Sequence, residues 1–187
     1  MLKKILPRIG YVAVMVTLGF IIYYYFLGPN KILSNANSTN TGPSTQSTQM
    51  LFAASLPDKN GVNQALSQYK GKIIVLNFWA TWCSPCREEM PELSQIHQEY
   101  QNKNVVVLGV AIDELGLIKE FIQATPVSYP LFAAENEGMA LGDSLGNNQS
   151  VLPYTVIINT DGRIVKTYFG RINKSLLEAT LSTLLPH

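Results

Sequence analysis

Two cysteines, Cys83 and Cys86, are the entire thiol inventory of this 187-residue chain, and only Ser84 and Pro85 separate them. Side chains at this spacing can reach disulfide bonding distance with little backbone movement. Exchange chemistry needs one of them as a thiolate, because the anion is the nucleophile and a free cysteine has a pKa of about 8.5. A helix N-terminus favours the anion through its unpaired backbone N–H groups and the positive end of its dipole. A helix beginning just after Cys83 would place that sulfur at the favourable end and Cys86 most of a turn inside. Cys83 is then the attacking thiol and Cys86 the resolving thiol.

Other uses of the pair are weaker. A structural disulfide across so short a loop constrains little of the unfolded chain. A zinc site would be half filled, since His97 and His187 lie far from ligand spacing. Attachment of a c-type haem fails because Arg87, not histidine, follows Cys86. Two rival classes stay open: a binding protein that holds Cu(I) on the two soft ligands, and a surface interaction domain with a vestigial disulfide. A net charge of +1, from 14 basic and 13 acidic residues, offers no electrostatic footprint for nucleic acid.

The elements that must position the pair follow from periodicity. Ile73–Trp79 is nearly continuous in β-branched and aromatic residues, as expected of a strand buried on both faces. A helix after Cys83 carries Met90, Leu93 and Ile96 at helical spacing, with Pro91 bending it. Val105–Ile112 reads as a second buried strand, Leu115–Ala124 as a second helix and Tyr154–Asn159 as a third strand. Thr160-Asp161-Gly162 turns into Arg163–Phe169, and Lys174–Leu185 closes the chain as a helix. Ahead of these, Asn60-Gly61 predicts a hairpin between Phe52–Pro57 and Val62–Leu66. This order describes an α/β domain with a central mixed sheet flanked by helices. The cysteines fall at the carboxyl end of its first central strand, where open α/β sheets place their sites.

The first third of the chain is organised for delivery. Residues 1–8 form a basic flank with Lys3, Lys4 and Arg8, and residues 9–27 carry no charge over 19 positions. That length suits one transmembrane helix, which needs about 20 apolar residues. The positive-inside rule puts the N-terminus in the cytoplasm and everything after the span outside it. A cleaved signal peptide ending near Ser34-Asn35-Ala36 is the competing reading, and it exports the remainder equally. Residues 28–49 are expected to be a flexible linker, because the run rich in Ser, Asn, Thr, Gln, Gly and Pro from Ser34 cannot bury enough apolar surface to order itself. Residues 50–187 form the working domain.

The segment Asn77-Phe78-Trp79-Ala80-Thr81-Trp82-Cys83-Ser84-Pro85-Cys86-Arg87-Glu88-Glu89-Met90-Pro91 resembles the active-site segment of thioredoxin-fold proteins. The likeness is to the membrane-anchored, extracytoplasmic TlpA/ResA type. It extends more loosely over residues 50–187 and implies a thioredoxin-like sheet, an added N-terminal β-hairpin and an insertion after the second strand. Pro153, in Leu152-Pro153-Tyr154-Thr155, matches the family's cis-proline, which lies against the cysteine pair and helps bind extended substrate backbone. Tyr154 and Thr155 are expected to present backbone and side chain beside it.

Glu89 matches an acidic residue that tunes the thiols, set against a solvated helix charge among Glu88, Glu89 and Glu92. Asn77 stands where soluble thioredoxins carry a buried aspartate. An amide cannot exchange a proton, so Glu89 is the natural candidate for that role. Trp79 reads as packing beneath the site, Trp82 as part of the substrate-facing surface and Arg87 as a solvated helix residue. The resemblance implies reduction of protein disulfides, apocytochrome c among them, with electrons from a membrane thiol-disulfide donor and no cofactor. Ser84-Pro85 differs from better-known family dipeptides and leaves the direction open, so an oxidase or isomerase of the same fold is the rival within the class.

Overall fold

The computed structural model describes residues 15–21, 23 and 43–185. The chain divides into two units, Met1–Thr41 and Gly42–His187. In the first, residues 15–21 and 23 are helical, and among the described residues no helix is long and apolar enough to cross a membrane. The rest of the expected span over 9–27, and the candidate cleavage site at 34–36, lie outside the described residues.

The second unit opens with helix α1 (Pro43–Ala53), which begins inside the stretch expected to be linker. Its anchors are tertiary: Leu51 is buried in the core, and the Thr48 hydroxyl donates to the Gly162 carbonyl at 2.7 Å. Strands β1 (Ser55–Pro57) and β2 (Asn63–Ala65) pair antiparallel as the hairpin, shorter than expected because Phe52 is taken up by α1. The Asp58 carboxylate accepts from the N–H groups of Asn60 and Val62, and Gly61 adopts the positive φ of 86° that the turn requires.

The central sheet has five strands in the order β5-β4-β3-β6-β7. These are β3 (Ile73–Trp79), β4 (Val105–Ala111), β5 (Leu131–Ala133), β6 (Tyr154–Ile158) and β7 (Ile164–Phe169). The pairs β3–β4 and β4–β5 are parallel, while β6 runs antiparallel to both β3 and β7. Every residue of β3 and β4 is buried, so their unbroken apolar runs reflect a sheet covered on both faces.

The helices divide between those faces. Helices α2 (Ser84–Tyr100), α3 (Leu115–Ala124) and α5 (Lys174–Ser182) pack on the face that carries Ile73, Val75 and Trp79, through Met90, Leu93 and Ile96, Ile118, and Leu177 and Leu181. Helix α1, the hairpin and helix α4 (Glu135–Ser144) cover the other face, with Leu51, Leu56 and Leu141 against Ile74, Leu76 and Phe78. This is a thioredoxin-like α/β fold with a small added hairpin. Between β4 and β6 the chain forms α3, β5 and α4, and of these neither β5 nor α4 was assigned from periodicity.

Candidate active site

Strand β3 ends at Trp79, and the chain turns through Ala80–Trp82 into helix α2. Cys83 is the N-cap residue, with extended backbone (φ −86°, ψ 105°), and its carbonyl accepts from the Arg87 N–H. Pro85 sits in the first turn, where a missing N–H costs nothing. Cys83 and Cys86 are joined as a disulfide with an S–S distance of 2.02 Å. Both are buried, Cys83 at 6% exposure and Cys86 at 0%. Ser84, Pro85 and Arg87 are exposed around them, and Trp82 is exposed at 69%.

The proline loop faces the same region. Tyr154 pairs with Phe78, so Pro153 lies just beyond the ladder beside the carboxyl end of β3. The Leu152-Pro153 peptide bond is cis. Leu152 and Trp82 line one side of a small apolar pocket, closed by Ile112, Met139 and the glycine pair Gly138 and Gly142. The two residues after the proline point inward, away from that surface. Tyr154 is fully buried against Phe78 and donates its hydroxyl to the Leu145 carbonyl at 2.7 Å. Thr155 is fully buried on the α2 face. Their side chains are therefore committed to the interior, and only their backbone is left to face a substrate.

Thr155 belongs instead to a buried polar group beneath the cysteines. Asn77 Nδ2 donates to Glu89 Oε1 at 2.7 Å and to Thr155 Oγ1 at 3.0 Å. Glu89 Oε2 accepts from the Ile172 N–H at 2.9 Å. Glu89 is fully buried on α2, three residues after Cys86 and on the same helix face, while Glu88 is exposed and Glu92 half-buried. Burial pushes the Glu89 carboxyl up from 4.5 to about 7, against the Ile172 N–H, the Asn77 amide and the positive charge of Arg171, with Glu92 adding to the rise.

The segment between β7 and α5 ties these parts together with alternate amides. Gly170 N–H donates to the Pro153 carbonyl at 2.8 Å, Ile172 N–H to Glu89 and Lys174 N–H to Glu92 Oε2 at 2.6 Å. Arg171 lies between Glu88 and Glu92, with nitrogens 3.8 and 3.3 Å from their carboxylates. Sequence reasoning did not single out Ile172 or Arg171. A backbone donor leaves no signature in residue type.

A stability consequence follows from Glu89. Its pKa is 4.5 in the unfolded reference and about 7 when folded, so between these values the native state holds a proton that the unfolded chain has lost. The stabilisation is complete below pH 4.5 and is lost as pH rises through 7, about 3 kcal/mol in all. Urea unfolding of the oxidised chain across this window should show the decline, and Glu89→Gln should flatten it.

Among the described residues no group of three His, Cys, Asp or Glu side chains is placed to hold a metal ion. Trp79 is fully buried beneath the site and packs on Phe121 with ring centroids 5.3 Å apart.

The Redoxin family model matches residues 37–185. The thiol-disulfide oxidoreductase ResA of Bacillus thuringiensis strain Al Hakam is 32% identical over 130 residues, covering 69% of this chain and 73% of that protein. ResA of Bacillus subtilis strain 168 is 27% identical over 187 residues, covering 98% of this chain and 95% of the relative. Among solved structures, a DsbF homologue from Corynebacterium diphtheriae superposes with a TM-score of 0.62 at 25% identity, over 70% of this chain and 83% of that one.

Proposed function

The chain belongs to the Redoxin family of thioredoxin-fold thiol-disulfide oxidoreductases, and we propose that it reduces protein disulfides outside the cytoplasm, held at the membrane by its N-terminal segment. The observation that carries this reading is the Cys83–Cys86 disulfide at the N-terminus of α2 with a buried, proton-holding Glu89 one turn further along. In the reduced enzyme the Cys83 thiolate attacks a partner disulfide and expels one partner thiolate, giving a mixed disulfide. Cys86 then attacks Cys83, the second partner thiolate leaves, and the protein disulfide closes with two electrons passed to the partner. Glu89 takes the proton that Cys86 gives up. Trp82 and the backbone around Pro153 form the face on which the partner chain lies.

The basic flank Lys3, Lys4 and Arg8 before 19 uncharged residues supports the anchor and the outward orientation. The ResA relatives, named as thiol-disulfide oxidoreductases, support exchange with protein thiols; the reductive direction, apocytochrome c as one substrate and a membrane thiol-disulfide protein as electron donor are carried into the proposal by the resemblance of the active-site segment. The test is the reduction potential of the full chain, equilibrated against a defined thiol buffer. A value well below about −200 mV supports a reductase, whereas one near −120 mV makes the chain an oxidase.

A further inference from the structure

The apolar pocket beside the disulfide is built from parts that the fold ties to the exchange centre. Its mouth carries Trp82, the residue before Cys83, and Leu152, the residue before the cis-proline. Helix α4 forms another wall with Met139 and Gly142. Two contacts fix that wall. Gly138 lies so close to the end of β4 that a Cβ on it would meet Ile112 Cδ1 at 2.7 Å, and the Tyr154 hydroxyl, one residue after the proline, donates to the Leu145 carbonyl directly after α4.

The pocket measures about 80 Å³. That is half of the ~150 Å³ that holds a benzene ring in an apolar protein cavity, and it suits a branched aliphatic group. Among the described residues no charged side chain lines it, and the Asn147 amide at its edge is spent on the Val151 N–H and carbonyl, each at 2.9 Å. Trp82 and Met139 are exposed at 69% and 45%, so large apolar groups stand open at the mouth. A concave apolar site rimmed by an aromatic ring and a flexible thioether is suited to take up an apolar side chain. Gly142 sets its depth. A Cβ there would stand 3.7 Å from the Phe78 ring and 3.8 Å from Asn147 Cβ, in ordinary contact. Both neighbours line the pocket, so an added methyl would project into it, and glycine leaves the Phe78 ring uncovered as part of its lining.

We propose that this pocket is a specificity subsite for protein disulfides that carry an aliphatic side chain within two residues of the reacting cysteine, with Gly142 setting the space available to it. The inference rests on the exchange reading of Cys83 and Cys86. A partner chain laid across Trp82 toward Pro153 passes the mouth of the pocket. Successive residues of an extended chain advance by only about 3.3–3.6 Å, so a near neighbour of the partner's cysteine reaches it. Because the α4 wall is tied to the proline loop through Tyr154, the pocket stands at a fixed distance from Cys83 and reads one position of the partner chain.

The test uses the reduced full chain and short peptides with one central cysteine, linked as symmetric disulfide dimers so that attack on either sulfur gives the same reaction. The chain is oxidised to the Cys83–Cys86 disulfide and two peptide thiols are released. Leucine, alanine or aspartate is placed in turn at each of the two positions on either side of the cysteine, and the second-order rate constant of thiol release is measured. At one position leucine should exceed alanine about tenfold, and aspartate should fall below alanine. Gly142→Ala should cut the leucine-to-alanine ratio about fivefold, and Met139→Glu, which sets a charge at the mouth, should lower it as well. Equal rates for all three residues in the wild-type chain, or a leucine preference at every position, overturns the proposal, as does an undiminished ratio in both variants. Self-association of the wild-type chain that Met139→Glu abolishes would give the pocket to a second copy and overturn it too. If no peptide disulfide is reduced at all, the exchange reading itself falls, and the subsite with it.

Discussion

Replacing Cys86 by serine should turn the chain into a trap, with partner proteins accumulating as mixed disulfides on Cys83. Cys83 is the sulfur at the helix N-terminus, where the dipole and the free N–H groups favour its thiolate. Cys86 lies inside the first turn at 0% exposure and can be reached only by the neighbouring sulfur. Without the Cys86 thiol the first displacement proceeds and the second does not. Cys83→Ser should bring turnover to the uncatalysed rate and trap nothing. Non-reducing gels and mass spectrometry of the adducts check both results. Trapping by Cys83→Ser and not by Cys86→Ser would reverse the assignment of roles.

Glu89→Gln should slow closure of the Cys83–Cys86 disulfide by about a hundredfold at neutral pH, the usual scale for loss of a positioned acid-base group. A thiol in apolar surroundings ionises reluctantly, and Cys86 is packed among Met90, Leu93 and the rest of the α2-face core. Glu89, with its pKa near 7, is tuned to accept and return a proton around neutrality. Glutamine keeps the size and can still accept from the Ile172 N–H, so the fold should persist while the inflection near pH 7 disappears from the rate profile. Stopped-flow measurement of closure against pH checks this. An unchanged inflection would mean that the proton goes elsewhere.

The sequence made the redox pair, the main strands and the helix carrying the cysteines legible, because a buried parallel strand and an amphipathic helix write their periods directly. Glu89 was half legible. Its place in the stripe Cys86, Met90, Leu93, Ile96 puts it on the buried face, yet an adjacent pair of glutamates reads equally well as a solvated edge. Helix α4 was missed because Gly138 and Gly142 lower its helical propensity. The fold uses them for close approach: a Cβ on Gly138 would meet Ile112 Cδ1 at 2.7 Å, and Gly142 packs on the Phe78 ring. Strand β5, only three residues long and directly after Pro130, is too short to show a period. Thr155 was read as facing substrate, and only the register of β6 against β3 turns it toward Asn77.

The segment from Gly170 to Lys174 reaches the proline loop, Glu89 and Glu92 through backbone N–H groups at every second position, and the Arg171 guanidinium adds a side-chain contact to Glu92. The three backbone contacts themselves do not depend on side-chain identity, provided none of the donors becomes proline, while Gly170 at φ 82°, the buried Ile172 and the Asn173 cap of α5 are held for separate reasons. The segment cannot drift in length. Inserting or deleting one residue would turn the alternate donors to the opposite side, releasing the carboxylate and the proline loop in one step. Among distant relatives and designed variants, the spacing here is therefore a better marker of an intact site than any residue within it.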